Sequence, residues 1–513
     1  MANILSILIF LPILLSIPIL FFSKNNTKLI KSYTLAISLI TFVLSLVLYF
    51  SFNTESGEYQ FVQKMPWVKI INSFYYVGVD GISLLLILLT TLIFPISIIA
   101  SFNSIKIRIK EYYFLLLLLE GALIGVFTSL DLILFYVFWE FILIPMYFLI
   151  GIWGGEERIY ATIKFFLYTM FGSVLLLIGI IWTGLLAQPY VGSFTLDIVQ
   201  LATLSTYIPL DKQIILFCLF TLGFLIKVPL FPFHTWLPDA HVQAPTAGSV
   251  ILAALLLKMG TYGLIRFSLG LFPAAFIKLT PIIAILAVIG IIYGALLSIV
   301  QKDMKKLVAY SSVSHMGFIV LGIFALTNES LQGSVIQMIN HGLSTGALFL
   351  FVGMIYERRH TKLIAEFGGL RKVMPVFAAL FLVVSLSSIG LPGLNGFIGE
   401  FLVLLGSFNS YNLGNSWYSI ISALAVIFSA VYLLWMYQRV MLGPIEKKEN
   451  KELKDISKSE LFTIIPLLIF IIWIGVYPNS FLRISENSVK KVLINLDNAK
   501  IQMYKSLETK PKQ

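Results

Sequence analysis

Charge is what this 513-residue chain has least of. Asp, Glu, Lys and Arg together make up 12% of it, against about 25% in a soluble globular protein. Hydrophobic residues make up 58%. That balance excludes a string of soluble domains and implies a polytopic membrane protein. Cysteine is nearly missing too. Cys218 stands alone in an apolar run, which excludes an intrachain disulfide and any cysteine-based metal cluster, and it is expected to be a small buried hydrophobe. The first segment, "MANILSILIFLPILLSIPILFF", lacks a basic n-region and a small-residue cleavage site, so it reads as a first membrane helix rather than a signal peptide. No loop is long enough for a folded soluble domain. The net charge of +11 does not point to nucleic acid, because the basic residues cluster in short loops between apolar spans.

Long hydrophobic runs are what the chain does have. A spanning helix needs about 20 apolar residues, and that criterion predicts about fourteen spans. They begin near Asn3, Tyr33, Asp80, Tyr112, Asp131, Thr162, Gln213, Ser249, Leu279, Asp303, Leu331, Val373, Trp417 and Leu461. The fold class expected is therefore an all-α polytopic membrane protein. Lys and Arg counted over alternate loops give twenty-one on one side, among them Lys106, Lys305, Arg358 and Lys447, and four on the other: Lys64, Lys69, Lys212 and Lys278. The positive-inside rule makes the rich side cytoplasmic and puts both termini outside. Seven further basic residues follow Pro478, on the side that should be poor in them, and the sequence offers no account of them.

Spans four to eight and nine to thirteen form two blocks of five, and an odd number of crossings turns the second upside down. The fourth span of each block is interrupted, by "KVPLFPFHTWLP" and by "LSSIGLPGLNGFIGE". Breaks at matching positions of inverted halves point to a transport site at mid-membrane, since broken backbone survives there only when buried in protein or lining water. The expected division is 1–111 for three leading spans, 112–277 and 278–442 for the two five-helix units, and 443–513 for a loop, the last span and a tail.

Ionisable groups at membrane depth are costly and are functional candidates by default. Glu140 lies in "FYVFWEFILIPMYFLI", Lys227 before the first break, and Lys258 in "ILAALLLKMGTYGLIRF". His315 lies in "YSSVSHMGFIVLG", His341 in "MINHGLSTGALFL", and Glu400 just after the second break. Each has a plainer reading: an interfacial anchor for Glu140, a hydrogen-bonded core histidine for His315 or His341. Lys164 and Arg266 lie near span ends and are expected to snorkel. Lys258 has apolar residues for many positions before it and cannot. Glu120 is a second-rank candidate. His234 and His241, with Asp239, match no closed metal site and are expected to pack at helix ends. Burial disfavours the charged form of a lysine or a carboxylate, and pairing restores it. Two unit charges at 4 Å attract by roughly 4 kcal/mol at an effective dielectric near 20, so making or breaking such a pair can move a proton. Histidine titrates near neutrality and can bridge the two kinds of group. The row of Glu, Lys, Lys, His, His and Glu is thus a candidate proton wire.

The stretches carrying these residues resemble a known family. "FLIKVPLFPFHTWLPDAHVQAPTAGSVILAALLLKMGTYGLIRF", "SLDLILFYVFWEFILIPMYFLIGIWGG", "DMKKLVAYSSVSHMGF", "INHGLSTGALFLFVGMIYERRHT" and "GLPGLNGFIGEFLVLLG" resemble the antiporter-like subunit M family of respiratory complex I, the proton-pumping NADH–quinone oxidoreductase. Parts of "HTWLPDAH" are shared with multisubunit cation/proton antiporters. The lack of a long carboxy-terminal lateral helix with an extra span argues against the sister subunit L. The resemblance implies fourteen helices and two inverted units. It implies Glu140, Lys227, Lys258 and Glu400 as a charged axis, with His315 and His341 as its relay. It further implies no cofactor in this chain, with FMN, iron–sulfur clusters and quinone held by partner subunits, and neighbours of the L and N type in a bacterial inner membrane. The sequence agrees in having no cysteine set and no glycine-rich phosphate loop after a strand. The rival readings are a subunit of a multisubunit Na⁺/H⁺ antiporter and a passive membrane scaffold, the latter disfavoured by the cost of the buried lysines.

Overall fold

The computed structural model of the chain describes residues 3–205 and 207–508. Among these the helices run in chain order α1 (Ile4–Ser16), α2 (Thr27–Ser51), α3 (Gly81–Ala100), α4 (Ile109–Thr128), α5 (Leu132–Phe141), α6 (Leu143–Trp153), α7 (Arg158–Val191), α8 (Ile198–Leu204), α9 (Leu210–Lys227) and α10 (Trp236–Gln243). They continue as α11 (Thr246–Ile251), α12 (Leu257–Gly263), α13 (Pro273–Ile299), α14 (Met304–Ala325), α15 (Asn328–Arg359), α16 (Pro375–Ile389), α17 (Asn395–Phe408), α18 (Trp417–Met441), α19 (Lys458–Val476) and α20 (Asn479–Glu508). A single hairpin, β1 (Gln60–Val68) against β2 (Ser73–Val79), interrupts them between α2 and α3. The expected all-α membrane architecture holds. Among the described residues, twelve helical segments are long and apolar enough to cross a membrane, and the other two expected spans are the interrupted ones, α9 with α10 and α16 with α17.

Spans that carry polar and ionisable residues lie at the centre, because such groups at membrane depth face the bundle interior. The stretch Thr246–Leu269 and α15 are buried throughout their apolar windows, and α14 nearly so. By contrast α2, α18 and α19 keep most of theirs at the surface, where lipid would cover them. Cys218 departs from expectation: it is exposed on α9. Where lipid is the solvent, an apolar run gives no sign of which face is inward. Close packing of α7 on α9 needs two glycines, since a Cβ on Gly223 would meet the Gly172 carbonyl oxygen at 2.8 Å.

Both breaks form where the sequence withdraws helical hydrogen bonds. Pro229 and Pro232 supply no N–H after Lys227, and the Trp236 indole donates to the Ile226 carbonyl at 2.9 Å, satisfying a group the break frees. At the second break Gly390 closes α16 in the left-handed region, at φ +87°. Here α15 and α16 share the satisfying: Asn340 Nδ2 of α15 donates to the Asn395 carbonyl at 2.7 Å, and Asn395 Oδ1 accepts from Ser387 of α16 at 2.5 Å and Ser344 of α15 at 3.1 Å.

Aspartates cap α3, α5 and α14, each accepting the two N–H groups at the helix start: Asp80, Asp131 and Asp303. Around two of these caps the backbone repeats a pattern. Leu132 N–H donates to the Leu196 carbonyl (2.9 Å) and Ile198 N–H to that of Leu130 (3.0 Å). Met304 N–H donates to the Lys362 carbonyl (2.9 Å) and Ile364 N–H to that of Lys302 (2.9 Å). The second set lies on the basic face, where Lys305 Nζ donates to the Ala244 carbonyl at 2.5 Å and Lys362 Nζ to that of Val242 at 2.9 Å. Burial holds the Lys362 amine below its usual pKa. On that face Arg358 grips Glu460 through both terminal nitrogens at 2.5 and 2.8 Å, tying α15 to α19. On the opposite face the tail unexplained by sequence is α20, a 30-residue amphipathic helix lying over α3 and α15.

Candidate functional site

Four of the six sequence-predicted site residues form two contacting pairs near the centre of the bundle. Lys258 stands on α12, between π-helical turns at Leu252–Leu256 and Leu264–Leu269. Such turns widen the helix and leave carbonyls available, and they recur at functional sites. Lys258 Nζ donates to the Ala253 carbonyl and hydrogen-bonds His341 Nδ1 of α15 at 2.6 Å. The His341 and His315 rings stand 5.6 Å apart, centre to centre. His315 Nδ1 on α14 meets Glu400 Oε1 on α17 at 2.8 Å, and Gln337 Nε2 donates to the same oxygen at 3.1 Å. Lys258, His341, His315 and Glu400 are each at most 5% exposed. A small polar cavity touches His315, His341, Gln337, Asn340, Ser344, Ser388 and Glu400; its volume, about 10 Å³ for water centres, suits a single water molecule.

Lys227 and Glu140 are less tightly joined to this row. Lys227 ends α9 at the first break, 1% exposed, and its Nζ has no hydrogen-bond partner among the described residues. The ammonium instead faces aromatic rings, 5.3 Å from the centre of Trp139 and 5.6 Å from that of Phe165. Glu140 follows Trp139 on α5; its Oε1 is buried and unpartnered, and no ion pair within 4.0 Å joins it to Lys227. The end of α9 lies hard against α12, because a Cβ on Gly260 would approach the Val228 side chain to 2.6 Å. The two lysines thus sit on adjacent, closely packed helices.

Arg266 corrects an expectation. It does not snorkel: it is 8% exposed and paired with Asp80, which is 2% exposed. The α3 cap supplies a buried anion there, and a paired guanidinium need not reach water. Lys164 pairs with Asp239 at 2.7 Å on a partly exposed surface. His234 stacks on Phe231 and His241 on Phe349 (4.5 Å between ring centres), at the helix ends expected for them. Glu120 is fully buried, accepts from Ser38 at 3.0 Å, and makes none of these contacts with the row. Sequence reasoning missed Gln337, Asn340, Ser388 and Asn395, which with Ser344 form the polar shell around the two histidines. Uncharged side chains at membrane depth are individually unremarkable; Gln337, Asn340 and Ser344 gave one signal, a recurrence along α15 at helical spacing, and Ser388 and Asn395 gave none.

The family described as NADH:quinone oxidoreductase/Mrp antiporter, TM, matches residues 129–442, and NADH-ubiquinone oxidoreductase chain 4, amino terminus, matches residues 6–126. NADH-quinone oxidoreductase subunit M of Rickettsia conorii is 46% identical over 496 residues, 96% of this chain and 99% of that protein. The chain belongs to the subunit M family of NADH–quinone oxidoreductase. The subunit M of Rhodobacter capsulatus is 43% identical over 510 residues, covering 96% and 97%. A chain in the structure of respiratory complex I from Thermus thermophilus with bound NADH superposes with a TM-score of 0.86 at 30% identity, covering 96% of this chain and 99% of that one. A chain of the Mrp complex from Dietzia shares the fold, with a TM-score of 0.83 at 17% identity over 98% and 99%. Among family members, then, this chain is a multi-pass membrane subunit.

Proposed function

We propose that this chain translocates protons as a membrane-arm subunit of NADH–quinone oxidoreductase, driven by quinone reduction in other subunits. The observation that carries the reading is the Lys258–His341 and His315–Glu400 contact pairs, set ring to ring in an otherwise apolar core. Lys258 can hand a proton to His341 Nδ1, which accepts it only in the tautomer protonated at Nε2. The one-water cavity beside both rings gives room to bridge them. Glu400, with Gln337 donating to it, receives the proton from His315. Lys227 serves as the group that exchanges partners at the first break, and Glu140 as the charge that favours its protonated form. Charge arriving at one end of such a row alters the next pairing, so a distant event can drive each transfer.

The same reading takes α9 with α10 and α16 with α17 as the seventh and twelfth of fourteen crossings. It takes 112–277 and 278–442 as inverted units. The matching backbone exchanges at Asp131 and Asp303, on opposite faces, support that inversion. The basic face is cytoplasmic and both termini lie outside, with antiporter-like subunits of the L and N type as neighbours in a bacterial inner membrane. Redox groups are assigned to partner subunits, leaving this chain a translocase without a redox centre.

The test uses the whole complex reconstituted in vesicles. Lys258→Met should leave it assembled and able to oxidise NADH, yet remove most NADH-driven proton uptake. Unchanged uptake would refute the assignment. A multisubunit Na⁺/H⁺ antiporter is the alternative, and blue-native purification separates the two: NADH dehydrogenase activity migrates with this chain in one case and not in the other.

A further inference from the structure

The charged end of Lys227 meets aromatic rings, where those of Lys258, His315 and Glu400 meet hydrogen-bonding groups. Its Nζ stands 5.3 Å from the centre of the Trp139 ring and 5.6 Å from that of Phe165. A cation within about 6 Å of a ring centre, over the face, is attracted by the ring quadrupole, and tryptophan attracts best. The attraction grows where water is kept out. Lys227 and Trp139 are each 1% exposed.

Both rings are fixed from behind. The Trp139 indole donates to Ser173 Oγ on α7 at 3.1 Å. Its ring packs on Phe135 of its own helix and on Phe224 of α9, with 5.5 and 5.6 Å between centres. Phe165 on α7 leans on Trp236 at 5.4 Å, and Trp236 is the residue that bonds the Ile226 carbonyl at the first break. The helices α5, α7 and α9 thus bring two ring faces to the point where α9 stops. The plainer reading makes Trp139 a space-filler. It leaves a buried ammonium with nothing to offset its lost hydration, a cost that packing does not repay.

Other charged and titratable groups around this point are engaged elsewhere. Lys164 of α7 pairs with Asp239, Lys258 of α12 bonds His341, and Arg266 beyond it pairs with Asp80. Tyr262 of α12 bonds the Phe127 carbonyl, Tyr293 of α13 stands against His234, and His241 stacks on Phe349. Glu140 follows Trp139 on α5, with Tyr136 one turn before it, and makes no ion pair with Lys227. A ring face suits a group that must change partners. It attracts the ammonium without the directed bond a carboxylate would impose, so the lysine stays free to turn and to give up its proton.

We propose that Trp139 is a positioning residue: with Phe165 it cradles the Lys227 ammonium while the lysine is between hydrogen-bonding partners. The proposal rests on the proton-translocation reading above. Its test is the pH profile of NADH-driven proton uptake by the intact complex in vesicles, for the parent and for Trp139→Leu, Trp139→Phe and Phe165→Leu. Removing a ring face disfavours the ammonium, so the proton is lost at lower pH and the alkaline limb of the profile moves toward acid. Trp139→Leu should move it by about one pH unit, a tenfold loss of proton affinity, and the other two variants by less. In each, uptake should recover as the pH is lowered, which a packing defect would not show. An unmoved limb in assembled Trp139→Leu, or uptake lost to the same extent at every pH, would overturn the cradle. If Trp139→Leu does not assemble, Trp139→Phe and Phe165→Leu decide between the same outcomes. If the parent complex shows no NADH-driven uptake, or Lys227→Met pumps as the parent does, the translocation reading fails instead.

Discussion

Glu400→Gln isolates charge from shape at the far end of the proposed wire. Glutamine keeps the side-chain outline and an oxygen that can still accept from Gln337, now 3.1 Å away, and from His315, now 2.8 Å away. What disappears is the negative charge. A hydrogen bond to a charged partner contributes about 1.5–3 kcal/mol and a neutral one about 0.5–1.5 kcal/mol. The contact between His315 and this position is therefore weakened by about 1–2 kcal/mol. More damaging, an amide cannot receive the proton at all. Assembly should be normal by blue-native electrophoresis, because both hydrogen bonds have a counterpart. The assay is the proton-to-electron ratio of the reconstituted complex, read together with its quinone reductase rate. Both are expected to fall, the ratio more than the rate. An unchanged ratio and rate in a fully assembled complex would refute the role given to Glu400 and leave it a packing residue.

Lys227→Arg should assemble yet pump nearly as badly as Lys227→Met, since arginine keeps its proton and the two rings around Nζ offer its five donors nothing to bond; near-normal proton uptake would make Lys227 a fixed electrostatic post. Glu140→Ala should abolish most pumping and slow quinone reduction with assembly retained, while Glu140→Asp keeps part of both; full activity of the alanine variant would remove Glu140 from the axis. Gly223→Val should force α7 from α9 at the Gly172 carbonyl and destabilise the protein by about 1–3 kcal/mol, seen as a lower midpoint in thermal unfolding of the purified complex; an unchanged midpoint would mean that the contact is not close in the membrane.

The order of helices and the residues worth suspecting were both legible in the sequence. Apolar runs of about 20 residues announce spans because lipid allows few other structures, and the observed spans start within a few residues of those expected. The two breaks were visible because the prolines at the first and the Gly-Leu-Pro-Gly stretch at the second cannot continue a helix. Buried charges stood out against an apolar background for the same energetic reason. The β1–β2 hairpin was not legible, because its residues lie between spans, where no strong periodicity announces a strand.

Partnership was the part that only three dimensions could decide. Lys258 and Arg266 stand on one helix, eight residues apart, and the sequence separates them only by depth, one too deep to snorkel and the other near a span end. The fold sets the first against a histidine from α15 and the second against the aspartate that caps α3. Likewise His315 and Glu400 are 85 residues apart in the chain and 2.8 Å apart in space, while Glu140 and Lys227 form no ion pair with each other. Composition and periodicity determine that a charge lies within the membrane, because they set which segments are transferred there. The contacts a charge makes depend on which helices pack together and how each is rotated. That is decided by close approach at small residues and by the satisfaction of backbone groups freed at the breaks, neither of which a one-dimensional pattern records.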